Sequence, residues 1–186
     1  DASRGGAVPR RLLDGFSGVL VTDGYAAYDG AAAALKLTHA GCMAHCRRYF
    51  EEARQVGTDT STATAALDFI GRLSLIERRL WDRECPATPA ERVTVREQQS
   101  APIMAAFNAW LAALAPTVLP ESRLGKAVHY ALGQWPKLGV FLTHGDVPLT
   151  NNRCENAIRP FVVGRKGWLF SDTVPGARAS ANLYSL

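Results

Sequence analysis

The chain is expected to fold as an α/β protein whose core is interrupted by a mainly α-helical insertion. Three observations lead there. Gly18 to Asp23 (GVLVTD) is a continuous apolar run closed by an acid, the pattern of a strand covered on both faces. Residues 65–141 carry their apolar side chains almost entirely at helical spacing. From 147 onward a short polar-capped helix leads into a Val-rich, basic, strand-like segment. The expected bounds are 1–57 for the first part of the core, 58–146 for the insertion and 147–186 for the second part.

The bulk properties agree. A length of 186 residues suits one domain with a sizeable insertion. With 47% hydrophobic and 20% charged residues, the chain can bury a core and is not compositionally disordered. A net charge of +4 and a pI near 9.0 are compatible with a polyanionic partner. Cys42, Cys46, Cys85 and Cys154 show no disulfide-framework spacing, which favours a reducing compartment. No apolar stretch approaches the ~20 residues of a membrane span, and the start, DASRGGAVPRR, lacks the apolar core of a signal peptide. A cytoplasmic protein without membrane partners is expected. The chain begins without Met and stops without a helix terminator, and so reads as a piece of something longer.

Residues 1–10 read as a solvent-exposed lead-in, followed by a short apolar cluster of Leu12, Leu13 and Phe16. The strand at 18–23 stops at Asp23-Gly24. Leu35 to Ala40 (LKLTHA) alternates and predicts a second strand of the same sheet. From Cys42 the period turns helical, with Cys46, Tyr49 or Phe50, and Ala53 on one side and Arg47, Arg48, Glu51, Glu52 and Arg54 on the other. A Thr/Ser-rich link is expected at Thr58 to Thr64. Leu67, Ile70, Leu73, Ile76 and Leu80 predict an amphipathic helix ending before Pro86. A third helical stretch runs from about Ala90 to Leu114, which Pro102 is expected to kink or break. A fourth carries Leu124, Val128, Leu132 and Trp135, with Pro136 ending or bending it.

Two carboxylates stand out. Asp23 lies at the carboxyl end of a strand, where open α/β sheets present ligands; Asp-Gly is equally a strong turn dipeptide. Glu155, about 130 positions later, opens the short helix that Pro160 is expected to close. With Asn152 as N-cap it also fits a capping box, Thr150 and Asn151 being alternative caps, so capping and metal binding compete for the same oxygens. From Arg153 to Arg178 four arginines and one lysine stand against Glu155 and Asp172. Cations beside a metal-binding acid are what a phosphodiester needs, because Arg and Lys hold the backbone while metal ions bridge its oxygens. A solvated basic face is the plain alternative.

Cys42, His45 and Cys46 fall near one helix face, with His39 close by. Such spacing can seed a zinc site. No second ligand pair follows, and a buried apolar face is the stronger expectation.

Three stretches carry a resemblance: GFSGVLVTDGYAAY (15–28), AGCMAHCRRYFEEA (40–53) and PLTNNRCENAIRPFVVGRKGWLFSDTVPGARASANLYSL (148–186). Together they resemble the C-terminal part of the catalytic region of insertion-sequence-66 transposases, a group of Asp-Asp-Glu transposases. The resemblance implies a partial ribonuclease-H-like core with a helical insertion before the helix bearing the last acid. It matches Asp23 to the second catalytic aspartate and Glu155 to the glutamate, as ligands of Mg²⁺ or Mn²⁺. It further implies DNA contacts from Arg153, Arg159, Arg165 and Lys166, with Trp168 to pack or stack. The partners implied are transposon ends and target DNA, with self-association in a synaptic complex and location at the bacterial nucleoid. Within the second stretch the resemblance includes Cys42 and His45 but not Cys46, which leaves His45 a structural or DNA-facing role.

The family's first aspartate lies upstream of this chain's start, and neither Asp1 nor Asp14 sits in a matching motif. The chain alone is therefore expected to be inactive in strand cleavage and transfer. A noncatalytic DNA-binding or transposase-interacting remnant is the alternative. The family usually has Ala before the glutamate and Arg after it; Cys154 and Asn156 stand there here.

Overall fold

A computed structural model describes residues 5–56, 60–168 and 173–183. The chain divides into two units, residues 1–150 and 151–186. The first unit is mixed α/β but mostly helical. Its sheet pairs β1 (Val19–Thr22) with β2 (Thr38–Gly41) in parallel, with Val19 opposite Thr38 and Thr22 opposite Gly41. Parallel pairing needs a crossover, and α2 (Ala27–Ala34) supplies it.

Two expectations near the sheet are corrected. Residues 7–12 form α1 (Ala7–Leu12) within the stretch read as a lead-in. The second strand starts at Thr38 rather than Leu35, because α2 ends in a Schellman motif. Leu37 N–H donates to the Ala32 carbonyl and Lys36 N–H to that of Ala33, with Lys36 left-handed at φ 55°. Residues 35–37 are consumed by that cap.

The helices of the first unit surround one core. α3 (Met43–Val56) buries Met43, Cys46, Phe50 and Ala53 at alternating three- and four-residue steps. It packs against α4 (Thr60–Leu80) and α7 (Arg123–Leu138). The expected link at Thr58 to Thr64 is instead the first turn of α4 from Thr60 on, where Ala63 and Ala66 already face the core. Rings of Phe50, Phe69, Phe107, Trp110 and Trp135 meet at its centre.

The third helical stretch does not break at Pro102. α5 (Pro89–Val95) starts from a capping box between Thr88 and Glu91, passes through a π-turn at Arg96–Ser100, and continues as α6 (Ala101–Leu114). Pro102 has no N–H to give, and its ring would press on the carbonyl four residues back. The widened turn just before it makes room. That turn also buries Arg96 completely. Its guanidinium takes both Glu77 carboxylate oxygens at 2.8 and 2.6 Å and reaches the Phe141 and His144 carbonyls. Arg92, stacked on Trp81, holds the Gly145 carbonyl. These two arginines fasten the segment that leads out of the first unit.

α7 runs through Pro136 to Leu138 instead of ending there. Pro136 is exposed, so the Leu132 carbonyl that loses its partner can turn to water.

The second unit consists of α8 (Asn152–Trp168) and α9 (Val174–Leu183). α8 overturns two expectations: Pro160 does not close it, and Val162 to Trp168 is helical rather than strand-like. Residues 152–160 are all exposed, so the broken i→i−4 bond at Pro160 again faces solvent. No helix among the described residues is long and apolar enough to cross a membrane.

Candidate functional site

Asp23 sits one residue past β1, at the carboxyl end of the sheet, and is exposed. Its turn is tied at successive main-chain groups. Gly24 N–H donates to Thr22 Oγ1 at 3.3 Å, and Tyr25 N–H donates to Asp23 Oδ1 at 3.0 Å. The Asp23 carbonyl accepts the Tyr130 hydroxyl from α7 at 2.9 Å. So the turn reading of Asp-Gly is fulfilled, and the carboxylate still faces solvent.

Behind the turn runs a polar chain. Thr22 Oγ1 lies 2.7 Å from His39 Nε2, His39 Nδ1 lies 3.2 Å from Asp29 Oδ1, and Lys137 Nζ lies 2.6 Å from the same oxygen. The Asp29 carboxylate beside Nδ1 can only accept, so Nδ1 carries the proton; in the neutral ring Nε2 then accepts from the Thr22 hydroxyl. Burial and the Lys137 charge hold the ring's pKa below the usual histidine value, against the pull of Asp29. The order hydroxyl–imidazole–carboxylate is that of an activated nucleophile. Thr22 is only 4% exposed, however, so no substrate reaches it, and the chain braces the turn.

The first unit's exit lies at the same end of the sheet. Met43, two residues past β2, donates its N–H to the Leu149 carbonyl at 3.0 Å. The chain therefore leaves the first unit beside the carboxyl ends of the strands, the end that carries Asp23.

Glu155 belongs to the second unit and is exposed. Both Cys154 and Glu155 N–H groups donate to the Asn151 carbonyl, so Asn151, one of the alternative caps, is the cap, and α8 starts one residue earlier than with Asn152 in that place. The capping box built on Asn152 is corrected accordingly: Glu155 is the fourth helical residue, past the position that reaches back to a cap. Arg159 follows Glu155 by four residues and Lys166 by eleven. At 3.6 residues per turn the three positions share one face within roughly 40°. Arg153, Arg165 and Trp168 lie about 80° or more from Glu155 around the helix. Arg153 and Arg159 are exposed; the side chains at 165, 166 and 168 lie outside the described residues.

Cys42 and Cys46 are buried, and burial pushes the Cys46 thiol up to about 12. Cys42 stands just before α3, its carbonyl accepting from His45 and Cys46 N–H. The favoured core role fits these residues. Among the described residues no group of three or more His, Cys, Asp or Glu could hold a metal ion. For a hard divalent cation, carboxylate oxygen at Asp23 is the right chemistry, but the donors so gathered are too few.

Comparison with known proteins decides the family. The model of the "Transposase IS66 family" matches residues 1–179. This chain belongs to the IS66 transposase family. Among curated relatives of this IS66 chain, the uncharacterized protein y4qI of Sinorhizobium fredii is 35% identical, over 98% of this chain and 34% of its own length. The uncharacterized protein y4jD of the same organism is 30% identical, over 99% and 36%. The uncharacterized protein y4hP, also from it, is 29% identical, over 97% and 35%. The chain thus spans about a third of the length of the curated relatives it matches. No solved structure matches it significantly.

Sequence reasoning named Asp23 and Glu155 as candidates but not Tyr130, Asp29 and Lys137, which lie around the Asp23 turn. Tyr130 lies 107 residues from its partner in a helix whose period marks only its apolar face, so no local signal announces it.

Proposed function

We propose that this chain is part of the catalytic region of a metal-dependent DNA transposase, with Asp23 and Glu155 as two of its three acids. The β1–α2–β2 unit, with the exit segment at 147–149, is read as part of a ribonuclease-H-like core, and residues 58–146 as its insertion. What supports the reading is the family match over residues 1–179, together with an exposed Asp23 at the carboxyl end of the sheet. The helical face shared by Glu155 and Arg159 adds to this, since it sets a cation about one turn from the acid that would meet a phosphate.

When bound, a divalent cation would supply Lewis-acid polarisation of a phosphodiester and activation of water or a 3′-hydroxyl. Asp23 and Glu155 would offer it oxygens. Arg159 and Lys166 would position the phosphate backbone, with Arg153, Arg165 and Trp168 as further proposed DNA contacts from other positions around α8. The third acid would come from sequence outside this chain, so cleavage and strand transfer by this chain alone would be severely impaired. Transposon ends and target DNA are the proposed partners, with self-association in a synaptic complex and a location at the nucleoid.

Calorimetry with Mn²⁺ or Mg²⁺ tests the metal role. Wild type should bind, and Asp23→Asn and Glu155→Gln should each weaken binding by about 2 kcal/mol or more, a loss typical of removing a charged partner. Unchanged binding in both variants discards it. The second reading is a noncatalytic DNA-binding or transposase-interacting piece. Salt-dependent DNA binding without metal binding would select that one.

A further inference from the structure

We infer that Tyr130, on α7, is a positioning residue for Asp23, so that the helical insertion sets the direction in which that carboxylate faces. The inference rests on the reading of Asp23 as a metal-holding acid, and its basis is geometric.

Two of the bonds that shape the 22–25 turn are local, from Thr22 and from Asp23 itself. Local bonds of this kind define a turn but leave it free to tilt as a whole on its strand. The bond from the Tyr130 hydroxyl to the Asp23 carbonyl is different in kind, because its donor belongs to a helix 107 residues away. It fixes the peptide plane that follows Asp23, and with it the backbone angle from which the side chain departs.

Tyr130 is itself held. Its ring stacks on Tyr49 of α3 with centroids 4.4 Å apart and planes 29° apart. Burial raises the phenol's pKa further above its already alkaline value, so the hydroxyl keeps the proton it donates. The turn also approaches α7 as closely as glycine allows. Gly24 has φ +87°, and a Cβ there would meet Tyr130 Oη at 3.1 Å and Gln134 Cδ at 3.2 Å. A side chain at position 24 would push the turn off the hydroxyl that holds it.

The test uses the 186-residue chain and Tyr130→Phe, which keeps the ring stack and removes only the hydroxyl. Amide hydrogen exchange at Gly24 and Tyr25 should accelerate about fivefold, the factor one hydrogen bond of ordinary net strength supplies. Exchange at Val21 and Ala40 in the strands should hold. The Mn²⁺ concentration that half-broadens the Gly24 and Tyr25 amide signals should rise by a similar factor. Gly24→Ala, which keeps the hydroxyl but adds the intruding Cβ, should reproduce both changes.

Unchanged exchange at the turn in both variants overturns the inference. So does uniform acceleration across turn and strands, which would mark Tyr130 as a residue of general stability. Faster exchange with an unaltered Mn²⁺ midpoint overturns it too, because the hydroxyl would then order the peptide without directing the carboxylate. Asp23→Asn separates the underlying reading: broadening that persists in that variant refutes metal binding at Asp23. The exchange comparison then decides alone whether α7 holds the turn.

Discussion

His39 shows how much of the Asp23 site is built from residues that do no chemistry. Its ring lies between Thr22 and Asp29, and burial together with the Lys137 charge outweighs the pull of Asp29, so the neutral form is favoured. Its folded pKa is lowered below 6.5, so the unfolded chain takes up a proton before the folded one does. Stability is therefore fully present above pH 6.5, falls as pH drops below it, and levels off under the folded pKa. Urea unfolding from about pH 7.5 to about pH 5 should show wild type losing stability more steeply than His39→Gln, whose amide oxygen can still accept from Thr22. Parallel curves would mean that His39 is not held neutral. Asp23 was legible because a continuous apolar run announces a buried strand and Asp-Gly its end. His39 was visible only as a neighbour of Cys42 and His45, since its partners come from β1, α2 and α7 and the sequence does not show that these converge.

Periodicity located α3, α4, α6 and α7, because each buries a stripe that repeats every three or four residues. Pro136 and Pro160 do not end their helices, and a π-turn rather than a break precedes Pro102. Pro102, Pro136 and Pro160 are all exposed, so the carbonyl each one orphans is solvated and the helix continues, in one case by widening into a π-turn. The small Ala-rich α2 was missed for the opposite reason: four alanines in a row carry no amphipathic period. Its end is instructive, since Lys36 occupies a left-handed position that usually falls to glycine. An L-residue with a Cβ is strained there by about 1 kcal/mol or somewhat more. Lys36→Gly should therefore stabilise the first unit by about 0.5–1 kcal/mol, read as a higher urea midpoint at constant slope. A lower midpoint would show that the Lys36 side chain contributes more than its backbone strain removes.

At the scale of the whole molecule, the sheet and α8 carry the proposed chemistry, and their designs differ. A two-stranded parallel sheet is not stable by itself, and here α2, α7 and the turn after α7 pack on it. The acid at its end is consequently held by a rigid frame. α8, by contrast, presents exposed residues along residues 152–160, the composition of a surface that meets a polar partner. Read as a strand, residues 162–168 would have alternated their cations between two faces. Read as the helix they form, they place position 166 in line with Glu155 and Arg159. If that line tracks a DNA backbone, each cation on it neutralises a phosphate and releases counterions. The plot of log K against log salt for duplex DNA should then lose about 0.9 of slope for Arg159→Ala and again for Lys166→Ala, whatever the DNA sequence. Arg153→Ala, half a turn away, should change it less, and Glu155→Gln should not make it shallower, because removing an anion releases no bound phosphate. Slopes that stay equal across the series would show that α8 meets a partner other than nucleic acid, and the aligned cations would then be an ordinary solvated face.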